Sequence, residues 1–132
     1  DTIIIDEPEL NLHPDSQRKV ARFLGRLVNE GFKVIISTHS DYIIKELNNM
    51  IMLSSANGQQ EDLLKRLGYS KNQLLKHNQV EAHLFTLANS KPEKIKIDET
   101  GFSVETIDEV IEQLDSDTEK IYYQLFEQEN KT

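Results

Sequence analysis

The sequence predicts an α/β fold: parallel strands joined through a helix, followed by a small α+β appendage built from a hairpin and a helical hairpin. Three observations predict it. Two apolar, β-branched runs, Thr2-Ile3-Ile4-Ile5 and Val34-Ile35-Ile36, flank a single segment of helical periodicity. Both runs are continuously apolar rather than alternating, the pattern of strands buried on both faces of a parallel sheet. Beyond residue 56 the apolar runs shorten and alternate, and the last stretch returns to helical spacing.

Residues 2–6 form the first predicted strand, which Pro8 stops. Pro14 suits the first turn of a helix, where its missing N–H costs little. That helix runs from about Asp15 to Glu30, with Val20, Phe23, Leu24, Leu27 and Val28 on one stripe. Arg18, Arg22 and Arg26 fall on the other side at four-residue spacing, which reads as a solvated face. Gly31 stands where a helix C-cap favours glycine. Lys33–Ser37 is the second strand, and the helical crossover makes it parallel to the first. Asp41 caps a short helix through about Leu47. Met50–Leu53 reads as a third strand.

The polar stretch 54–60 reads as a loop, which divides the chain into 1–56 and 57–132. Short helices over Glu61–Leu67 and around Lys71–Lys76 follow, broken by Gly68. Val80–Leu87 and Lys94–Asp98 alternate and are separated by a Ser90-Lys91-Pro92 turn, which predicts a hairpin. Val104, Ile107, Val110, Ile111 and Leu114 make one helical stripe, and Ile121, Tyr122, Leu125 and Phe126 another. Ser116 and Glu119 form a capping box at the start of the last helix. The two helices are expected to pair.

A chain of 132 residues is long enough for one domain with a usable core. Its net charge of −8 is uneven: −2 over residues 1–56, +3 over 57–97 and −9 over 98–132. The acidic end argues against nucleic-acid contact there. Cysteine is absent, so there is no disulfide framework and no thiolate metal site, which fits a cytoplasmic location. No apolar stretch approaches the roughly 20 residues of a bilayer span, so no membrane partner is expected. The chain opens on Asp1 directly into a strand, which reads as a piece of a longer protein.

The chemistry concentrates at the outlet ends of the two strands, where ligands of parallel sheets bind. Asp6 and Glu7 end the first; Ser37, Thr38 and His39 end the second. Adjacent strand residues point to opposite faces, but a chain turning at the strand end can aim both carboxylates into one crevice. Magnesium takes oxygen ligands and keeps several waters, so one carboxylate such as Asp6 can anchor it. A second carboxylate can orient and deprotonate an attacking water. An imidazole at His39 can donate a hydrogen bond to a phosphate oxygen, and the hydroxyls of Ser37, Thr38 and Ser40 suit an anion.

These blocks resemble known motifs. Ile3-Ile4-Ile5-Asp6-Glu7-Pro8 resembles the Walker B strand of ABC-type ATPases, Asn11-Leu12-His13-Pro14 their D-loop, and Ser37-Thr38-His39-Ser40 their switch-histidine loop. The string from Asp6 to Pro14 is similar to the overcoming-lysogenisation-defect (OLD) ATPases and related AAA/ABC-type ATPases of bacterial phage-defence systems. The resemblance implies the C-terminal part of a P-loop NTPase core. It implies that Asp6 holds Mg2+, Glu7 is the catalytic base and His39 the γ-phosphate switch. It also implies that Asn11, Leu12, His13 and Asp15 face a second ATPase subunit, with ATP between the two and an effector protein as a further partner. Transporter ATPases usually carry Asp where this chain has His13, which argues against a transporter. A string from Ile97 to Asp108 resembles the tail of such ATPases more weakly.

A phosphate cradle needs a Gly-rich loop such as G-x-x-x-x-G-K-[ST], and the five scattered glycines form none. The isolated chain is therefore expected to be inactive, supplying the magnesium and water half of an ATP-hydrolysing site. No nuclease domain of the OLD type is expected in this chain. His77, Glu81 and His83 could suggest a metal cluster, but His77 falls in a turn and no carboxylate triad completes the site. Two other readings remain: a non-enzymatic docking module that binds a partner through its C-terminal helices, and an ATPase of a DNA-repair complex.

Overall fold

In a computed structural model of the chain, residues 1–55, 60–85, 90–103 and 116–127 are described. They form two compact units, Asp1–Phe102 and Ser103–Thr132. The first unit begins with β1 (Thr2–Asp6), α1 (Pro14–Asn29) and β2 (Lys33–Ser37). β1 and β2 pair in parallel, with Ile4 opposite Ile35 and Asp6 opposite Ser37. The expected crossover unit is therefore present, with the chemistry-bearing residues in register at one end.

The strands are not buried on both faces as expected. Burial alternates along each: Ile3, Ile5, Val34 and Ile36 are half-buried, while Ile4 is 75% and Ile35 46% exposed. A continuous apolar run states that both faces avoid water, but it cannot say which element covers each. Among the described residues the sheet has two strands, so one face stays open.

α1 packs against β2, the second helix and the turn that follows the third. Ala21, Leu24 and Gly25 are its buried positions. A Cβ at Gly25 would collide with the Gln73 carbonyl and the end of Met50, so glycine permits this close approach. Phe23, placed in the apolar stripe by spacing, is exposed. The solvated reading of the arginine side is corrected for Arg18 and Arg22, because α2 (Asp41–Ser55) brings Glu46 against them.

α2 overturns the third strand expected over Met50–Leu53. It runs on as one helix whose buried residues include Ile43, Glu46, Met50 and Leu53, a spacing near 3.6. A four-residue apolar run is too short to show its own period, and the helix that precedes it settles the matter. The helix cap is Ser40 rather than Asp41: its Oγ accepts the Ile43 N–H at 3.2 Å and its carbonyl accepts the Ile44 N–H. At the far end the Ser54 and Ser55 hydroxyls donate back to the carbonyls of Ile51 and Met52.

Packing is continuous across residue 56. α3 (Gln60–Leu67) contributes Leu64, and the segment after it contributes Tyr69 and Leu75, to one core with Ala21, Ile43, Met50, Ile51, Leu53 and Phe102. The helix expected around Lys71–Lys76 shrinks to a 3-10 turn at Lys71–Gln73, and a second such turn covers His77–Gln79. The expected hairpin exists with shorter strands: β3 (Ala82–Leu84) pairs antiparallel with β4 (Glu93–Ile95). Two further short strands, β5 (Ile97–Asp98) and β6 (Gly101–Phe102), form a tight hairpin. Asp98 accepts the Thr100 N–H within it, and the left-handed φ of +100° at Gly101 closes it.

In the second unit residues 116–122 are helical and continue into a π-helical turn, Tyr123–Glu127. The helix expected after Ser103, and hence its pairing with the last one, lies outside the described residues. Among the described residues no helix is long and apolar enough to cross a membrane.

Candidate functional site

The end of β1 is fastened to the end of β2 by more than the ladder. The Ser37 hydroxyl donates to Asp6 Oδ1. The Glu7 N–H reaches the Ser37 carbonyl at 2.9 Å and the Ser37 Oγ at 3.2 Å. Ser37 thus serves both acidic residues, touching the carboxylate of one and the backbone of the next.

Glu7 has a backbone φ of +48°, a left-handed conformation that side chains other than glycine rarely adopt. Such geometry clusters at functional sites, held in place by its surroundings. Here it breaks the strand's alternation immediately after Asp6. Two turns follow, closed by Leu10 N–H to the Glu7 carbonyl at 3.1 Å and Leu12 N–H to the Glu9 carbonyl at 3.0 Å. Asn11 is also left-handed, at φ +63°, a conformation asparagine tolerates.

His39 lies across from this turn, its Nε2 3.4 Å from Glu7 Oε1. The imidazole is 88% exposed and the Glu7 side chain 38% exposed, so both are open to a ligand or water. The structure thus brings together Asp6 with Ser37 and Glu7 with His39. Thr38 is engaged elsewhere: its Oγ1 accepts the Ser40 N–H at 3.0 Å.

Sequence reasoning missed Glu9. Its Oε1 accepts the His39 N–H at 2.9 Å. Burial would raise the Glu9 carboxyl, but the His39 N–H, its own N–H, the Thr38 hydroxyl and the His39 ring outweigh burial and hold it below the ordinary range. Gln17 was missed too. It donates to the Leu12 carbonyl at 3.0 Å and accepts from the Ser40 hydroxyl, so it joins the loop before α1 to the loop before α2.

Asn11, Leu12, His13 and Asp15, expected at a subunit face, are all exposed. His13 also caps α1: its Nδ1 accepts the Asp15 N–H at 3.4 Å, and Pro14 opens the helix. Behind the site, Glu46 ties α1 to α2. Arg18 Nε reaches Oε2 at 2.7 Å and Arg22 Nε reaches Oε1 at 2.8 Å. Arg22 also donates to the Gly68 carbonyl and lies 4.1 Å over the Tyr69 ring. Burial would raise the Glu46 carboxyl, but hydrogen bonds from Arg18, Arg22 and Tyr69 hold it low. A polar residue in the apolar stripe of α2, with two arginines one turn apart on α1, was the signal available for this clamp.

A hard cation fits the donor set. Asp6 offers one exposed carboxylate with the Ser37 hydroxyl beside it, which suits a magnesium ion that keeps waters and shares a phosphate. Among the described residues no three His, Cys, Asp or Glu side chains gather into an all-protein cage. His83 and Glu81 instead pair with each other at 3.1 Å, with Lys94 beside them.

Comparison with known proteins points to ATPases. The profile of the family described as AAA ATPase domain matches residues 1–44. Over 92 residues the chain is 38% identical to the Old nuclease of Escherichia phage P2, covering 67% of this chain and 15% of that protein. Over 89 residues it is 34% identical to the energy-coupling factor transporter ATP-binding protein EcfA of Carboxydothermus hydrogenoformans, covering 64% of this chain and 31% of that protein. The chain therefore spans under a third of the length of either relative. No solved structure matches. By these likenesses the chain is similar to ABC/AAA-type ATPases.

Proposed function

We propose that this chain supplies the magnesium- and water-handling half of an ATP-hydrolysing site. The carrying observation is the strand-end constellation: Asp6 beside Ser37, and a left-handed Glu7 whose carboxylate meets His39 at 3.4 Å. In this reading Asp6, assisted by Ser37, holds Mg2+, which would neutralise phosphate charge when bound. Glu7 orients the attacking water and accepts its proton, and its side chain is partly open to solvent. His39 donates a hydrogen bond to the terminal phosphate and, through its contact with Glu7, links the presence of that phosphate to the base. Phosphoryl transfer depends mostly on positioning and charge stabilisation, which is what these groups offer.

The phosphate-cradling loop lies in another segment or chain. The open face of the β1–β2 sheet, with Ile4 and Ile35 exposed, is the surface on which the rest of an NTPase core packs. The exposed residues Asn11, Leu12, His13 and Asp15, with exposed Leu10 before them, meet a second ATPase subunit. The Asp6–Pro14 string, with its resemblance to the ATPases of phage-defence systems, is the basis for assigning the protein a cytoplasmic role in a bacterial defence-like system, with hydrolysis controlling an effector. Exposed Ile121, Tyr122, Leu125 and Phe126 of the second unit are the docking surface for that effector.

The test is Glu7→Gln in the full-length protein. It keeps the shape of the side chain and removes the base, so ATP binding persists while turnover falls about 100- to 10,000-fold. Unchanged turnover would remove the hydrolytic reading and leave the docking function alone.

A further inference from the structure

His39 is almost fully exposed, so packing does not place its ring. What is anchored is the backbone that carries it, through Glu9, whose carboxylate accepts the His39 N–H at 2.9 Å. Glu9 belongs to the same pair of turns that begins at left-handed Glu7. The carboxylate that Glu9 offers is ionised and therefore a strong acceptor for a backbone N–H. One short segment thus carries both the acid that faces His39 and the acid that holds the His39 backbone. Gln17 adds a second tie between the same two loops, from the Leu12 carbonyl to Ser40.

We propose that Glu9 is a positioning residue that locks the His39 loop onto the Glu7 turn, so that imidazole and carboxylate are presented to the nucleotide as a preassembled pair. This inference rests on the hydrolytic reading of the site. Glu9 does not touch the reacting groups; it acts through His39. Removing it frees the His39 backbone, and a misplaced ring costs rate rather than nucleotide affinity.

The experiment is a double-mutant cycle in the full-length protein, reading kcat and KM for MgATP in wild type, Glu9→Ala, His39→Ala and the double variant. Glu9→Ala is expected to lower kcat about ten-fold and leave KM within about two-fold. In the His39→Ala background the same change adds nothing, because the group it positions is gone. Glu9→Gln keeps an oxygen to accept the His39 N–H and restores most of kcat. Where Glu9→Ala does not fold, Glu9→Asp, whose shorter arm cannot reach, replaces it in the cycle with the same expectation. Multiplicative losses, a Glu9→Gln variant as slow as Glu9→Ala, or a change confined to KM would overturn the proposal. A His39→Ala loss with an unaffected Glu9→Ala removes the positioning role alone. A wild type without turnover, or one indifferent to His39→Ala, removes the hydrolytic reading and the positioning role with it.

Discussion

Glu46 and Glu7 are both carboxylates beside side-chain nitrogen groups, and they are held in opposite ways. Glu46 is 1% exposed, and each of its oxygens is taken by an arginine at 2.7 and 2.8 Å. Glu7 is 38% exposed, sits on a left-handed backbone, and meets a single imidazole at the longer distance of 3.4 Å. A buried carboxylate with an arginine on each oxygen is closed to a substrate and serves the fold. A partly exposed one, carried on backbone that is costly to maintain, is kept for something outside the chain. The same acid type thus divides into clamp and working group by the number and closeness of its donors.

Glu7→Gln, expected to abolish most turnover and leave the fold intact, is the largest test of this contrast. Glu46→Ala should do the reverse to stability. Breaking a buried ion pair costs about 3–5 kcal/mol, and the lower end applies here because Arg18 can turn to water. Urea unfolding of the chain would read that loss directly. If Glu46→Ala left the midpoint unmoved, the clamp would be ornamental and the division between the two acids would fail.

Acid sharpens the same comparison. The Glu46 carboxyl is depressed in the folded chain, so its contribution is complete above the unfolded value of about 4.3 and disappears as pH falls through the lower folded value. Glu9, Glu61, Glu81 and Asp98 are depressed too, so acid weakens the chain through several groups. Glu46→Gln should therefore show a shallower loss of stability below about pH 4.3 than the wild type. Parallel curves would mean that Glu46 ionisation is not coupled to folding.

The sequence disclosed the crossover unit and its strand-end acids because those signals are local. Two β-branched runs, a Pro-initiated helix and a hairpin turn each declare themselves within a few residues. What it concealed depends on elements meeting. Arg18 and Arg22 looked solvated until α2 placed Glu46 against them. Met50–Leu53 looked like a strand until the helix before it ran on. Glu9 carries no signal of its own within the Asp6–Pro14 string, because its partner is a backbone N–H thirty residues away. Backbone donors leave no mark in a sequence, so a positioning carboxylate is harder to find there than a catalytic one.

His13 gives the smallest and most local test. Its Nδ1 accepts the Asp15 N–H, the task a short acidic side chain performs at a helix N-terminus. The departure from the Asp of transporter ATPases therefore leaves the capping of α1 intact. His13→Ala should cost about 0.5–2 kcal/mol, and His13→Asp should restore it or improve on it, since a carboxylate also favours the positive end of the helix. If His13→Asp were stable yet lowered turnover in the full-length protein, capping could not be the whole role of His13. Its exposed ring edge would then belong to the face that meets the second subunit. If turnover were unchanged, His13 would serve α1 alone, and the subunit face would narrow to Asn11, Leu12 and Asp15.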